Sequence, residues 1–287
     1  MRILIINCVF LVIVTTGHAQ DSIRAVNIFR YRISDGKRSN ERSVIEQKTY
    51  DKNGKLVLQI FYNDSVPAID RFTRYYYDRE KLISEESFDA SGEITHIRRS
   101  AYSEKGFPCE EKYYVPLKGM MELSRTSELT WQDTSMTTRI VYNMEHKKII
   151  RERYRYYPGR IVKEERFRKG IDPGNLKIRI TTSTYSQDTL TKKEISELTY
   201  SGEKNTTLIS YTYCNGRTST EEWTGQEGRA VKRIEYTWFV NGRLNTQSSY
   251  NGSGELEEFL RYEYHHYVTR LSPEPMFDLS RPVPADH

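Results

Sequence analysis

Short runs in which apolar and polar residues alternate cover most of the chain, and each run ends at a turn signal. The runs are rich in Tyr, Ile, Val, Thr and Phe. Alternation with a period of two is typical of β-strands, and Gly or Asn accept the positive φ that tight hairpin turns require. Beyond the first nineteen residues, no stretch of about a dozen residues shows the helical spacing of apolar positions. The clearest hairpin signals are Asp35-Gly36, Asn53-Gly54, Pro158-Gly159, Asn215-Gly216 and Asn241-Gly242. The pattern therefore predicts an all-β protein.

One phrase recurs along the chain: an aromatic residue, a turn, a basic residue, an aliphatic residue, then acidic residues and a second aromatic. Two copies run from Tyr77 to Phe88 and from Tyr157 to Phe167. Related copies start at Tyr50, Phe88, Tyr102, Tyr213, Tyr236 and Tyr250. The step of roughly 10 to 14 residues corresponds to one strand and one turn, which indicates internal repetition.

The two arms of each predicted hairpin differ in chemistry. The arm before a turn is basic and aromatic, whereas the arm after it carries paired acids such as Glu85-Glu86 and Glu164-Glu165. Tight turns would set Arg74 opposite Glu85 and Arg153 opposite Glu164. Repeated cross-strand pairs of this kind would fix the register of neighbouring strands.

Neither face of a predicted strand is cleanly apolar. From Ile161 to Phe167, each face mixes charged and apolar residues. A compact sandwich needs one dry face per strand. We therefore expect an antiparallel β-hairpin repeat that forms an extended, curved meander sheet, with a partly rolled barrel or sandwich as the alternative.

The repeats divide the chain into five segments. Residues 1–19 have the short basic start, apolar run and small residues before a cleavage point that are typical of a signal peptide. We expect a first β-repeat block at 20–114, an irregular connection at 115–137 and a second β-repeat block at 138–270. The tail at 271–287 contains four of the nine prolines and is expected to be flexible.

The repeated phrase resembles the YD (Rhs-type) repeats of secreted bacterial proteins and, more loosely, variant MORN-type repeats. The resemblance lies in Tyr50-Asp51 with Gly54-Lys55-Leu56, Tyr77-Asp78 with Lys81-Leu82, Phe88-Asp89 with Gly92-Glu93-Ile94, and Asn241-Gly242-Arg243-Leu244. It implies a β-hairpin scaffold used in export, surface display, toxin encapsulation or partner binding. It implies no catalytic residues.

Composition narrows the class of protein further. The net charge of +5 is mild for 287 residues, and the two signs are interleaved, which does not favour nucleic-acid binding. No membrane-spanning helix is predicted after the signal peptide. An outer-membrane barrel is disfavoured as well, because its strands need an apolar lipid face and arms such as Arg151 to Tyr157 carry charges on both sides. Cys109 and Cys214 could form a disulfide in an oxidising compartment, or they could be two separate buried thiols. No metal site and no cofactor are predicted, since zinc-type Cys and His spacing is lacking.

Aromatic residues are the strongest candidates for binding. We expect Tyr75, Tyr77, Tyr154, Tyr156, Trp223 and Trp238 to form a platform on the sheet, although rings that only join neighbouring strands are the alternative. No catalytic residue is predicted, because adjacent acids on a strand point to opposite faces. The sequence thus favours an exported, non-catalytic scaffold or binding protein of a bacterial cell envelope, in the periplasm, at the cell surface or outside the cell. Its expected partner is an envelope or secreted protein or a polysaccharide. The alternative is an envelope-glycan hydrolase that uses carboxylates from separate strands.

Overall fold

A computed structural model describes residues 23–63, 68–156, 161–169, 175–186, 188–198 and 203–266. This part of the chain is almost entirely β-strand, which confirms the all-β prediction. The strands are β1 Ile23–Ser34, β2 Lys37–Tyr50, β3 Leu56–Tyr62, β4 Ile69–Asp78, β5 Lys81–Asp89, β6 Ile94–Tyr102, β7 Pro108–Leu117, β8 Met120–Gln132, β9 Ser135–Asn143, β10 Lys148–Tyr156, β11 Ile161–Lys169, β12 Asn175–Ser186, β13 Thr189–Leu198, β14 Lys204–Cys214, β15 Arg217–Thr224, β16 Ala230–Trp238, β17 Leu244–Asn251 and β18 Leu256–His266. A short 3-10 turn at Gln226–Gly228 lies between β15 and β16.

The sheet is closed. Each strand pairs antiparallel with the next strand in the sequence, and β18 pairs antiparallel with β1. The closing pair matches Val26 with Tyr264 and Ile28 with Tyr262. The fold is therefore an 18-stranded up-and-down β-barrel. The antiparallel meander was predicted correctly, but the open curved sheet was wrong, because the first and last strands satisfy each other's backbone groups.

The predicted turns lie where the chain reverses. Asp35 and Gly36 have φ of 51° and 68°, and Asn215 and Gly216 have φ of 52° and 73°. Positive φ at both central residues belongs to the type I′ turn, whose twist matches that of the flanking strands. Pro158-Gly159 lies outside the described residues.

The register differs by one residue from the predicted one. Arg74 lies opposite Glu86 and Arg153 lies opposite Glu165, so Glu85 and Glu164 face Tyr75 and Tyr154 instead. The cause is a bulge: at each turn from an even strand to the next odd strand, the odd strand carries one extra residue near its start. An extra residue shifts the register, and a shift of one exchanges the faces.

Residues 115–137 were expected to be an irregular connection, and this was wrong. They include the end of β7, all of β8 and the start of β9. Lys118 and Gly119, with φ of 51° and 81°, close the β7–β8 hairpin. The segment was misjudged because Gly119 follows a lysine and not the Asn or Asp that usually marks such a turn. The predicted signal peptide and the Pro-rich tail lie outside the described residues.

Few side chains of the described residues are fully buried from solvent. The largest side chain that is fully buried is that of Ser127, and the buried hydrophobic residues are single positions on both faces of the sheet. One small cluster joins Val26, Ile28 and Leu260 across the closing strands. In the part of the chain that the structure describes, no helix is long and apolar enough to cross a membrane.

Candidate ligand-binding face

One face of the barrel wall carries most of the tyrosines. Following cross-strand partners around the barrel, residues such as Ile28, Tyr75, Tyr154, Ile209 and Tyr262 all lie on this side, which we name the tyrosine face. On the opposite face, arginines lie over phenylalanine rings of the same or the neighbouring strand. Arg74 lies over Phe72 and Phe88, for example, and Arg153 lies over Phe167.

An aromatic ring ends each even strand on the tyrosine face, at the rim where the even strands lead into the odd ones. Eight of these rings donate a hydrogen bond to a main-chain oxygen near the start of the preceding odd strand, at 2.6 to 3.3 Å. The eight are Tyr77, Tyr102, Trp131, Tyr156, Tyr185, Tyr213, Trp238 and Tyr264. Tyr50 ends β2 at the equivalent position. We name these nine residues the rim aromatics. Their spacing of two strands is the true repeat of the chain.

A second set of tyrosines lies two residues further from the rim. Burial, with a smaller contribution from nearby carboxylates, raises the pKa of Tyr75, Tyr211 and Tyr262 to about 12. The pKa of Tyr154 and Tyr236 is also raised, again mainly by burial and then by the charges of Glu152 and Glu221 respectively. A half-buried tyrosine next to a carboxylate stays neutral, because ionisation would place two negative charges together.

Below the tyrosines, charged residues form a line across the tyrosine face that we name the charged row. Its members, in strand order from β5 to β13, are Glu85, Arg98, Glu111, Arg139, Glu152, Arg166, Arg179 and Glu197.

Arginines join carboxylates of different strands within the row. Arg98 hydrogen-bonds Glu85 and lies 3.1 Å from Glu111, and Arg139 lies 3.2 Å from Glu111 and 3.5 Å from Glu152. Burial by itself lowers the pKa of Arg98, but the hydrogen bond that Arg98 donates to Glu85 and the charges of Glu85 and Glu111 outweigh it, so the pKa is raised. Arg139 reaches from β9 to Glu111 on β7 over Ser127 of β8, which is fully buried beneath it.

Glu221 has a different environment. It accepts hydrogen bonds from the hydroxyl of Tyr236 at 3.0 Å and from the indole of Trp223 at 3.4 Å, and Tyr211 lies opposite it in the register. Among the described residues no ion pair includes Glu221. A carboxylate flanked by three partly exposed rings can accept further hydrogen bonds from a polar ligand while the rings contact its apolar faces.

All six predicted binding residues lie on the tyrosine face. They fall into three separate places: Tyr75 and Tyr77 on β4, Tyr154 and Tyr156 on β10, and Trp223 and Trp238 on β15 and β16. Tyr77, Tyr156 and Trp238 are rim aromatics. Their polar groups are engaged by the backbone, whereas Tyr75, Tyr154 and Trp223 contact Gln59, Glu152 and Glu221. That they bind a ligand stays a prediction.

The possible disulfide is not formed. Cys109 and Cys214 are free thiols on β7 and β14, seven strands apart in the ring. Seven steps of about 4.8 Å between neighbouring strands keep the two thiols far beyond the distance that a disulfide spans. Among the described residues, no group of three or more His, Cys, Asp or Glu side chains could hold a metal ion.

Sequence reasoning missed the charged row. The acids were identified, but the one-residue error in register assigned Glu85 and Glu164 to the wrong cross-strand partners. Arg98 and Glu111 lie on the two strands of one hairpin, β6 and β7. Their separation in the sequence predicts a contact only when the bulge between these strands is taken into account.

No protein-family model matches the chain, and no curated protein matches it. Among solved structures, a porin-like protein from Bacteroides uniformis is similar with a TM-score of 0.43 at 11% identity, over 85% of this chain and 98% of that one. A porin-like protein from Bacteroides vulgatus gives a TM-score of 0.35 at 8% identity, over 86% and 99% of the two chains. The TcdB2-TccC3 structure gives 0.32 at 12% identity, over 75% of this chain and 16% of that one. Likeness at this level does not identify a function.

Proposed function

We propose that this protein is an exported, non-catalytic β-barrel that binds a polysaccharide of the bacterial cell envelope on its tyrosine face. The observation that carries the proposal is the group formed by Glu221, Trp223, Tyr211 and Tyr236. Sugars offer hydroxyl donors and weakly apolar ring faces, and a carboxylate beside aromatic rings complements both.

The tyrosine face is the inner wall in this proposal. Side chains on the concave side of a closed sheet converge, so contacts between non-adjacent strands are expected there. The contact of Arg139 with Glu111 across β8 is of that kind. A wall of rings and paired charges suits an extended polar polymer better than a protein, whose interfaces have a more apolar centre.

An aqueous compartment outside the cytoplasm is the proposed location. The signal-like residues 1–19 support export. Both faces of the wall carry charges at mid-strand, such as Arg139 on the tyrosine face and Arg153 opposite Glu165 on the other. The resemblance to secreted YD repeats supports the same role, with an envelope protein as the other candidate partner.

Titration of the purified chain from residue 20 onward with envelope polysaccharides tests the proposal, with the fluorescence of the three tryptophans as the signal. We expect saturable binding that weakens in Trp223→Ala and Glu221→Gln. Tyr76→Ala removes a ring of 39% exposure from the opposite face and serves as the matched control, with unchanged affinity.

Two results would replace the proposal. Release of new reducing ends, lost in Glu111→Gln, would establish the glycan hydrolase. Binding to an envelope protein with no binding to any polysaccharide would establish a protein partner. Equal affinities of wild type and both tyrosine-face variants would exclude the Glu221 group as the site.

A further inference from the structure

The members of the charged row, taken in order along the row, alternate in sign except at one place, and Ser127 on β8 is its uncharged position. Arg166 on β11 and Arg179 on β12 are direct cross-strand partners on the tyrosine face. Side chains in such pairs start about 4.5 to 5.5 Å apart, and like charges directly opposite each other are destabilising. A single acid at either position would not restore the alternation, because it would then lie opposite Glu152 or Glu197.

The neighbouring carboxylates do not fully satisfy the two arginines. The Nε of Arg166 lies 3.4 Å from Glu152 and the Nε of Arg179 lies 3.4 Å from Glu197. Both Nε atoms are nevertheless buried without a hydrogen-bond partner. The two side chains as a whole are 38% and 40% exposed, so a part of each beyond the buried Nε is open to the solvent.

We propose that Arg166 and Arg179 form a binding site for an oxyanion group, namely a sulfate, phosphate or carboxylate. Two guanidinium groups side by side offer parallel N–H donors that match the oxygens of such a group. Hydrogen bonds between charged donors and charged acceptors are shorter and stronger than those between neutral groups. The anion separates the two positive charges and restores the alternation of the row. Glu152 and Glu197 flank the site and Glu164 lies two residues before Arg166, and these carboxylates limit the affinity. The site is independent of the proposed polysaccharide binding, because a free inorganic anion satisfies the same donors.

Calorimetric titration of the whole exported chain with sulfate, phosphate and glucuronate tests the site, at an ionic strength held constant with sodium chloride. We expect saturable binding in wild type and an affinity lower by roughly tenfold or more in Arg166→Gln and Arg179→Gln, since each removes charged hydrogen bonds. Arg166→Lys keeps the charge but loses the planar fork, so its affinity is expected to lie between those of wild type and Arg166→Gln. Glu197→Gln removes a competing carboxylate and is expected to raise the affinity.

Arg153→Gln is the matched control, because Arg153 belongs to the neighbouring strand but to the opposite face, over the ring of Phe167. It should leave anion binding unchanged. Far-ultraviolet circular dichroism establishes that each variant is folded. If Arg166→Gln or Arg179→Gln does not fold, Arg166→Lys and Glu197→Gln still test the site. Binding of glucuronate in preference to inorganic anions would identify an acidic sugar as the source, and the reverse would identify a free anion. Wild type that binds none of them, or folded Arg166 and Arg179 variants that bind like wild type, would overturn the proposal.

Discussion

The hydroxyl of Tyr77 donates a hydrogen bond to the main-chain oxygen of Leu56, 3.0 Å away, and so joins the end of β4 to the start of β3. Other rim aromatics repeat this contact around the barrel. Each one lies beside a bulge, where the regular ladder is interrupted and a main-chain oxygen is left for a side chain.

Tyr77→Phe therefore tests the rim. The ring stays and the hydrogen bond is lost, so the free energy of unfolding should fall by about 1 kcal/mol. Urea unfolding followed by circular dichroism measures the change. Tyr76→Phe loses an exposed hydrogen bond to Glu86 on the opposite face and should cost less. Equal losses in the two variants would deny the rim contact a special role.

Arg139 is expected to be the most sensitive member of the charged row. Arg139→Met removes one arginine partner from each of two carboxylates, Glu111 and Glu152, whose side chains are 13% and 9% exposed. Arg98 and Arg166 still compensate part of this buried charge, and we expect the free energy of unfolding to fall by about 2 kcal/mol.

Arg32→Met is the control for this variant. Arg32 and Glu41 form an ion pair in which both side chains are 72% exposed, and such pairs contribute about 0 to 1 kcal/mol. Denaturant unfolding of both variants in the same buffer makes the comparison. A loss in Arg139→Met no larger than in Arg32→Met would show that the row contributes nothing.

Stability should decrease in alkali. Burial raises the pKa of Tyr75, Tyr211, Tyr262 and Tyr264 to about 12, against an ordinary value of 10.0. Below pH 10 these tyrosines are neutral in both states and do not affect the balance. Above it, the unfolded chain ionises first, so stability is lost as the pH rises from about 10 through about 12.

Tyrosinate absorbance of the folded protein measures this directly, alongside urea midpoints over the same range of pH. The expected curve has a fraction of tyrosines that ionises only near the alkaline unfolding transition. Complete titration of the folded barrel near pH 10 would contradict the burial of these rings.

Closure of the barrel can be tested by cross-linking. Asn27 on β1 and Glu263 on β18 are cross-strand partners. In the chain from residue 20 onward, with Cys109 and Cys214 changed to serine, Asn27→Cys with Glu263→Cys should form a disulfide rapidly on mild oxidation. Asn27→Cys with Arg261→Cys, two residues out of register, should react far more slowly. Equal and slow rates would indicate that β1 and β18 are not paired in solution.

Much of the fold could be predicted from local signals. Asp35-Gly36 and Asn215-Gly216 form the turns that their residue types require, and the strands between them follow from alternation. The same alternation put Tyr75 and Tyr77 on one face. The partners of Glu85 and Glu164 could not be predicted in this way, because a bulge adds a residue without any mark in the strand that contains it.

The sequence by itself determined an antiparallel chain of hairpins and a division of side chains between two surfaces, since both depend on neighbours within a few residues. Only the tertiary structure decided that the sheet closes, that Cys109 and Cys214 lie apart, and that arginines and glutamates from β5 to β13 form one row. The reason is that closure pairs β1 with β18, whose residues are more than two hundred positions apart. Pairing at that distance depends on the accumulated twist and bulges of every strand between them, which no local pattern encodes.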